Sequence, residues 1–451
     1  MSQVVKLERQ FPFTPSDGFI LALDDLCNRT WGGGLLANTE IEIDGQPDRK
    51  KLAWLAREMP LRFPLLRAVM RRGILLQAPR WEVEGDGNPQ PLPLEFHRLD
   101  GVSGNEPTVA SASELRTKLL ALRLHDGGRP PHLRLDVLRH SEDRWLLLIT
   151  WSHLLLDGVG IELLVRAMAE LWNDPAATMQ DHPEIHPDSS VWQRFQASEA
   201  VGKYLFHLSG KHFPSACGGQ HRKGMPQHWV ETFSEEESQR YREALKKAGG
   251  DLMTSFFHAV IAARAHRALL KSRGVKSPTL VLGVPAQLRA KNDKGDPVIF
   301  QNHMTMFYYA LEDTELNDIA DACRNVMMQN LDHLRKKHHL SFAAFLSLSR
   351  HLPGAATLHL VRWQQRGELV SLFHSWTGTF AHGLDHAFGG RLINGFHIPG
   401  VSVPPGSGLF FSDCQGRYTV ALSWVNSCLS PDEVEIMRKQ WRHDLLGEPL
   451  P

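Results

Sequence analysis

The chain is 451 residues long, 42% apolar and 22% charged, with fifty basic residues balanced against fifty acidic ones. This length exceeds one ordinary core and points to two or three domains, and the composition is that of a soluble globular protein. The charge balance leaves no global field to draw the chain to nucleic acid or an anionic membrane.

Five scattered cysteines, Cys27, Cys217, Cys323, Cys414 and Cys428, have no CxxC spacing. That pattern argues for reduced thiols in a cytoplasmic setting and against a zinc ribbon or a disulfide framework. The N-terminus MSQVVKLERQFPF carries charges where a signal peptide needs its apolar core. No apolar run approaches the roughly 20 residues needed to span a bilayer. A peripheral membrane contact stays open, and a monomer is expected.

In chain order, Thr14-Pro15-Ser16-Asp17 resembles a helix start, with Phe19 to Leu26 as a short helix. Thr39 to Asp44 alternates like a half-buried strand, and Asp48 caps a helix running through Met59. Phe63 to Val69 leads into a strand after a proline break, followed by a Gly/Pro-rich loop from Glu84 to Pro93. Ser113 to Leu124 is predicted helical, with Leu115, Leu119 and Leu122 inward. His132 to His140 and Trp145 to Trp151 read as a hairpin turning at Ser141-Glu142-Asp143. The helix that follows repeats its apolar face as Ile161, Leu164, Val165, Met168, Leu171 and Trp172.

From Asn173 to about Gln227 the composition turns polar and rich in Pro and Gly, which predicts a linker, helical in part around Val191 to His207. The second half reuses the elements of the first. Strands are expected at Trp229–Phe233, Thr279–Val284, Met304–Leu311 and Leu369–Phe373, with a closing hairpin at Leu409–Ser412 and Arg417–Val425. Helices are expected from Ser234 to Gly249, Thr254 to Ser272, Asp313 to Lys336 and Ser430 to Leu446. The domains expected are therefore 1–172, a linker 173–227, and 228–451, each half α/β with a mixed sheet.

Between the apolar run Trp145–Trp151 and its helix lies Ser152-His153-Leu154-Leu155-Leu156-Asp157-Gly158. A strand–helix junction is a place where a rigid scaffold can aim a polar side chain into a cleft. Neutral histidine is the usual general base near pH 7. Asp157 is placed either to contact His153 or to brace the loop through a distant cation, and Gly158 suits a tight turn into the helix. On residue chemistry alone, a histidine at a strand end is more often a satisfied structural residue than a base.

The order strand, SHLLLDG, amphipathic helix resembles the HHxxxDG motif of the CoA-dependent acyltransferase superfamily, which includes condensation domains, wax ester synthases and polyketide-associated acyltransferases. Phe63 to Ala68 is similar to the HPxLRxxF stretch upstream of that motif. Gly283 to Arg289 resembles the strand ending in PxxxR, and Gln301 to Phe307 the GN-containing strand. Thr377 to Phe380, Asn394 to Gly400 and the closing hairpin occupy the positions of the later sheet segments.

The resemblance implies two chloramphenicol-acetyltransferase-like domains in a V-shaped pseudo-dimer, with a tunnel between them. An acyl thioester, on CoA or on the phosphopantetheine of an acyl carrier protein, would enter one end and a small-molecule alcohol or amine the other, with no bound cofactor. By the same resemblance His153 is the base, Asp157 is structural, and Arg289 is its partner. The backbone near Gly158 and the side chains of Asn302 or Thr305 are candidate oxyanion donors, and Ser152 and Trp376 are candidate substrate contacts.

Ser152 stands where the family's first motif histidine is, which motivates a second expectation: a silent relative that binds a thioester or carrier protein without turnover. The sequence carries no adenylation or carrier domain, so a free-standing enzyme is expected. His382 and His386 have the spacing of a zinc pair, but with no third ligand and with Gly383 between them a loop is expected and no metal. The basic run Leu334 to His339 is expected to be a solvated helix end. Gly32-Gly33-Gly34 lacks phosphate-loop spacing, and no Gly-x-Ser-x-Gly elbow supports an acyl-serine.

Overall fold

The computed structural model describes residues 10–73, 77–83, 89–177, 190–209, 211, 213–289, 298–364 and 367–450. The expected N-terminal charges, half of the loop from Glu84 to Pro93 and nearly all of the HPEIHPDSS part of the linker lie outside these residues.

Two mixed sheets organise the molecule. The first has seven strands in the order His386–Ala387, Gly390–Pro399, Leu36–Asp44, Arg144–Ser152, Leu133–Arg139, Leu94–Leu99, Thr108–Val109. Its centre is the antiparallel trio Leu36–Asp44, Arg144–Ser152 and Leu133–Arg139, in which Leu36 pairs with Ser152 and Trp151 with Leu133. Arg144–Ser152 is a near-continuous apolar run because both of its faces are covered. Leu147, Ile149 and Trp151 enter the main core, while Leu146 and Leu148 pack with Leu115 and Leu119 of the helix Ala112–Leu120.

The second sheet has six strands in the order Met304–Leu311, Leu280–Gln287, Leu372–Thr379, Ser407–Cys414, Arg417–Val425, Pro226–Thr232. The two lobes are stitched together by a crossover. Strand Gly390–Pro399 belongs to the second half of the sequence, yet it pairs antiparallel with Leu36–Asp44 in the first sheet, Thr39 opposite His397.

Local signals account for the helix boundaries. Thr14, Ser234 and Ser430 each form a capping box at the start of a helix (Pro15–Trp31, Glu235–Lys247 and Pro431–Leu446). Asp48 caps Arg49–Arg62 and Asp157 caps Gly158–Asn173. In the latter helix Ile161, Leu164, Val165, Met168, Leu171 and Trp172 are all buried, each contributing about 1.5–3 kcal/mol of transfer free energy.

Several elements differ from the sequence expectation. The linker holds the expected helix, Val191–Ser209, two residues longer than anticipated. Asp313–Lys336 divides into a short 3-10 turn and the helix Ile319–Arg335, capped by Asp318. Helices His338–Ser349 and Gly354–Gln364 follow where no element was expected. The basic run Leu334–His339 is only partly solvated, since His338 is buried with its Nδ1 2.7 Å from Nδ1 of His333. No helix of the described residues is long and apolar enough to cross a membrane.

Candidate active site

Between the lobes lies a cavity of about 270 Å3. The first lobe lines it with Trp151, His153, Gly158 and Glu162, the helix Pro15–Trp31 with Phe19, Ile20 and Leu23, and the second sheet with Pro285, Met304, Met306, His374 and Trp376. Most of this wall is apolar, so the few polar groups on it define the chemistry.

His153 sits where strand Arg144–Ser152 ends, its backbone N–H donating to the carbonyl of Leu35 at 3.0 Å. Its ring lies 5.5 Å from that of Trp151. Its Nδ1 is 3.1 Å from Oδ1 of Asn302. The orientation of that amide is fixed from its other end: Asn302 Nδ2 donates to Asp17 Oδ1 at 2.9 Å and to the His153 carbonyl at 2.9 Å. The oxygen end therefore faces the imidazole and accepts, so Nδ1 carries the ring proton and Nε2 the lone pair. Burial pushes the imidazole below its usual pKa, outweighing the opposing pull of its own carbonyl and the Asp157 charge. The ring is neutral at neutral pH, as a base must be.

Asp17 is the residue behind that arrangement. Its Oδ1 accepts from the Asn302 N–H at 3.0 Å as well as from the side-chain amide, and its Oδ2 accepts from the Thr14 N–H at 2.8 Å. It is fully buried, and burial raises its carboxyl to about 6 against the pull of these donors. Sequence reading saw Asp17 only as part of a helix start. The signal for more was its place in the capping box, which puts a carboxylate at the buried end of a helix that faces the motif.

Asp157 and Arg289 are brought together in a buried ion pair, both side chains nearly inaccessible. Asp157 Oδ1 also accepts from Gly160 N at 2.8 Å, and its Oδ2 from His303 N at 2.9 Å. Arg289 goes on to the carbonyls of Val298 and Ile299. The carboxylate thus ties the helix start, the PxxxR strand end and the segment 300–303 into one unit, and makes no hydrogen bond to His153. Gly160 is needed here: a Cβ there would stand 2.5 Å from the Ile299 carbonyl oxygen and 3.3 Å from the Arg289 guanidinium.

Gly158 lines the cavity at the positive end of its helix. Trp376 lines it too, with one face stacked on His258 at 4.3 Å between centroids. Three other candidate residues are engaged away from the cavity wall or toward His153. Thr305 is buried and its hydroxyl donates to the His339 carbonyl at 2.7 Å, because on a strand the neighbours Met304 and Met306 face the cavity and 305 faces away. Ser152 likewise points away from Trp151 and His153, is fully buried, and accepts from Leu154 N at 3.3 Å. Asn302 has committed its amide protons to Asp17 and the carbonyls of His153 and Leu154, with its oxygen toward the imidazole.

His382 and His386 lie at the turn and short strand beside Gly390, both exposed, with the His382 carbonyl held by Arg166. Among the described residues one group, Glu95, His97 and Asp136, has ligand atoms close enough for a metal. Arg134 already pairs with its carboxylates, at 2.7 Å to Asp136 and 3.1 Å to Glu95.

No family model matches the chain. Among solved structures it is similar to trichothecene 15-O-acetyltransferase from Fusarium sporotrichioides (TM-score 0.70, 13% identity, 98% of this chain and 96% of that one). It is also similar to the first condensation domain of the calcium-dependent antibiotic synthetase (TM-score 0.68, 14% identity, 97% and 95%). In sequence it is 31% identical over 175 residues to chondramide synthase cmdD of Chondromyces crocatus, a match covering 38% of this chain and 4% of that protein. The chain thus spans only a small fraction of the length of that synthase. The fold is the one these condensation-domain and acetyltransferase structures share, and a 175-residue stretch of the chain resembles a peptide synthase in sequence.

Proposed function

We propose that the protein transfers an acyl group from a thioester, on CoA or a carrier-protein phosphopantetheine, to an alcohol or amine, with His153 as general base. The observation that carries this reading is the imidazole in the interlobe cavity, held neutral with its lone pair on Nε2. Nε2 takes the proton of the acceptor O–H or N–H as that atom attacks the thioester carbonyl carbon. The new C–O or C–N bond forms and the carbonyl electrons move onto oxygen. As the tetrahedral species collapses the C–S bond breaks, and the leaving thiolate takes the proton back from the imidazolium. Both ester and amide products satisfy this sequence, and the acyl group includes aminoacyl and peptidyl groups.

The oxyanion needs donors aimed at the position where charge develops. With Asn302 and Thr305 committed elsewhere, the backbone at the start of helix Gly158–Asn173 is the remaining candidate, favoured by the helix dipole. Asp157 and Arg289 act as positioning residues.

The likeness to a trichothecene O-acetyltransferase supports an alcohol acceptor and CoA, and the likeness to synthetase condensation domains supports an amine and a carrier protein. The test is release of free thiol from short- to long-chain acyl-CoAs and acyl-carrier substrates with pooled acceptors, wild type beside His153→Ala. Loss of acceptor-dependent release by about 100-fold or more is expected for removal of a general base. Equal release by the variant would remove the mechanism.

A further inference from the structure

Glu162 is a carboxylate that the mechanism leaves unused. It lies one helical turn beyond Gly158, and with Gly158 and Val159 it faces the same cavity as His153. Asp157, the other carboxylate on that wall, is saturated by Arg289 and two backbone N–H groups. Glu162 differs: among the described residues it has one partner, Nε2 of His397, at 3.2 Å from its Oε1. Among the described residues no lysine or arginine lines the cavity.

The network behind His397 fixes which way its protons point. Trp151 Nε1–H donates to Thr39 Oγ1 at 2.9 Å, and that oxygen is 2.8 Å from His397 Nδ1. Thr39 can donate its own proton to Nδ1, and a carboxylate can only accept. His397 Nε2–H is then the donor to Glu162. Phe380 stands nearly edge-on to the His397 ring at 5.1 Å, and Thr39 and His397 are cross-strand neighbours. Trp151 is therefore shared: its ring packs on His153 while its N–H anchors the chain that ends at Glu162. A carboxylate offers about four acceptor sites, and in an apolar cavity a charge with one hydrogen bond is costly until a counter-charge arrives.

We propose, resting on the acyl-transfer reading of this cavity, that Glu162 held by His397 recognises the acceptor, and that the acceptor carries a cationic nitrogen distinct from its attacking atom, as a diamine or amino alcohol does. The charged nitrogen sits on Glu162, while the second N–H or O–H meets His153. A neutral alcohol leaves the carboxylate without its counter-charge, and an acceptor with a carboxylate in place of the ammonium is repelled.

The test uses the full chain and the probes 1,4-diaminobutane, 4-aminobutanol, 1-butanol and 4-aminobutanoate. Binding is read by calorimetry in a His153→Ala background, so turnover is not required, and Glu162→Gln and Glu162→Lys are compared after their melting curves show that they fold. Diamine and amino-alcohol binding are expected to fall by about tenfold or more in Glu162→Gln, the worth of one charge-assisted hydrogen bond, with no comparable change for 1-butanol. In Glu162→Lys the preference shifts toward 4-aminobutanoate. Equal binding of diamine and 1-butanol to the parent, or diamine binding untouched by both substitutions, overturns the assignment. The two readings fail separately. Glu162-dependent diamine binding without thiol release in the His153-intact chain removes acyl transfer alone, whereas thiol release with the same acceptor preference in Glu162→Gln removes the acceptor class alone.

Discussion

Two buried aspartates hold the His153 loop from opposite sides, and they do so by different physics. Asp157 meets a guanidinium and two backbone N–H groups, so its charge is compensated in place. Asp17 meets only amide and backbone donors, with no cation among its hydrogen-bond partners, and burial lifts its carboxyl to about 6. The first arrangement ties three chain segments together through one carboxylate. The second positions one amide, and through it one imidazole tautomer, at the cost of a carboxylate that titrates close to neutrality. Rigidity and tunability are thus divided between two residues of the same type, and the difference lies in their neighbours.

The sharpest way to break the comparison is to remove the cation. Arg289→Ala leaves Asp157 buried with an uncompensated charge and also releases the carbonyls of Val298 and Ile299. A loss of about 3–5 kcal/mol is expected for breaking a buried pair from one side, read by urea unfolding at pH 7.5. Asp157→Asn in the Arg289→Ala background should recover part of that loss. If the double variant is no more stable than the single one, Asp157 is not held by charge.

The next effect belongs to Asp17 and depends on pH. Its carboxyl rises from the ordinary 3.8 to about 6 on folding, so between those values the folded state binds more protons than the unfolded one. Stability from this group is therefore fully present below about pH 4 and declines as pH rises through 6. The difference amounts to about 3 kcal/mol at 1.36 kcal/mol per unit. Asp17→Asn abolishes that slope, so wild type should lose about this much relative to the variant between pH 4 and 7. Parallel pH–stability curves for the two proteins would sink the account. The variant also turns an amide N–H toward the Thr14 N–H, which Asp17 Oδ2 now accepts. Turnover should drop even where stability does not.

A smaller perturbation probes the clamp alone. Gly160→Ala forces a methyl to within 2.5 Å of the Ile299 carbonyl oxygen and against the Arg289 guanidinium. Overpacking of this kind costs about 1–3 kcal/mol. Because the strain falls on the Asp157 side, it should be seen at pH 5 and pH 8 alike. A pH-dependent loss would mean that the two sides are coupled through the loop.

These contrasts also mark what the sequence could disclose. The motif loop, its helix and the capping residues Asp48, Ser234 and Ser430 are legible because each is written within a few residues of its partner. The Asp157–Arg289 pair, 132 positions apart, was reached only through the resemblance. Asp17 and Asn302 are separated by 285 positions and lie outside any local pattern. The same holds for strand Gly390–Pro399, whose partner Leu36–Asp44 is at the other end of the chain. Helix His338–Ser349 escaped notice for another reason. Its run HHLSFAAFLSLS is apolar on most sides, since it packs against helices Pro15–Trp31 and Val191–Ser209 and strand Met304–Leu311, and so shows no single stripe.

Thr305 gives the smallest effect and the most direct test of how position on a strand decides a role. Its motif neighbourhood suggests an oxyanion donor, whereas the period-2 alternation of Met304–Leu311 turns it away from the cavity and toward the His339 carbonyl. Thr305→Val keeps the shape and removes one buried hydrogen bond, at a cost of about 0.5–1.5 kcal/mol, while the His339 carbonyl keeps its partner in helix His338–Ser349. An oxyanion donor would instead act on the rate, and its removal costs about 100-fold or more in kcat. The structure therefore predicts a lower melting temperature with kcat within a few-fold of wild type once acyl transfer is assayed. A folded, equally stable Thr305→Val with kcat reduced 100-fold would mean that the strand presents its other face to substrate during turnover, and the assignment of the helix start as the remaining oxyanion site would fall with it.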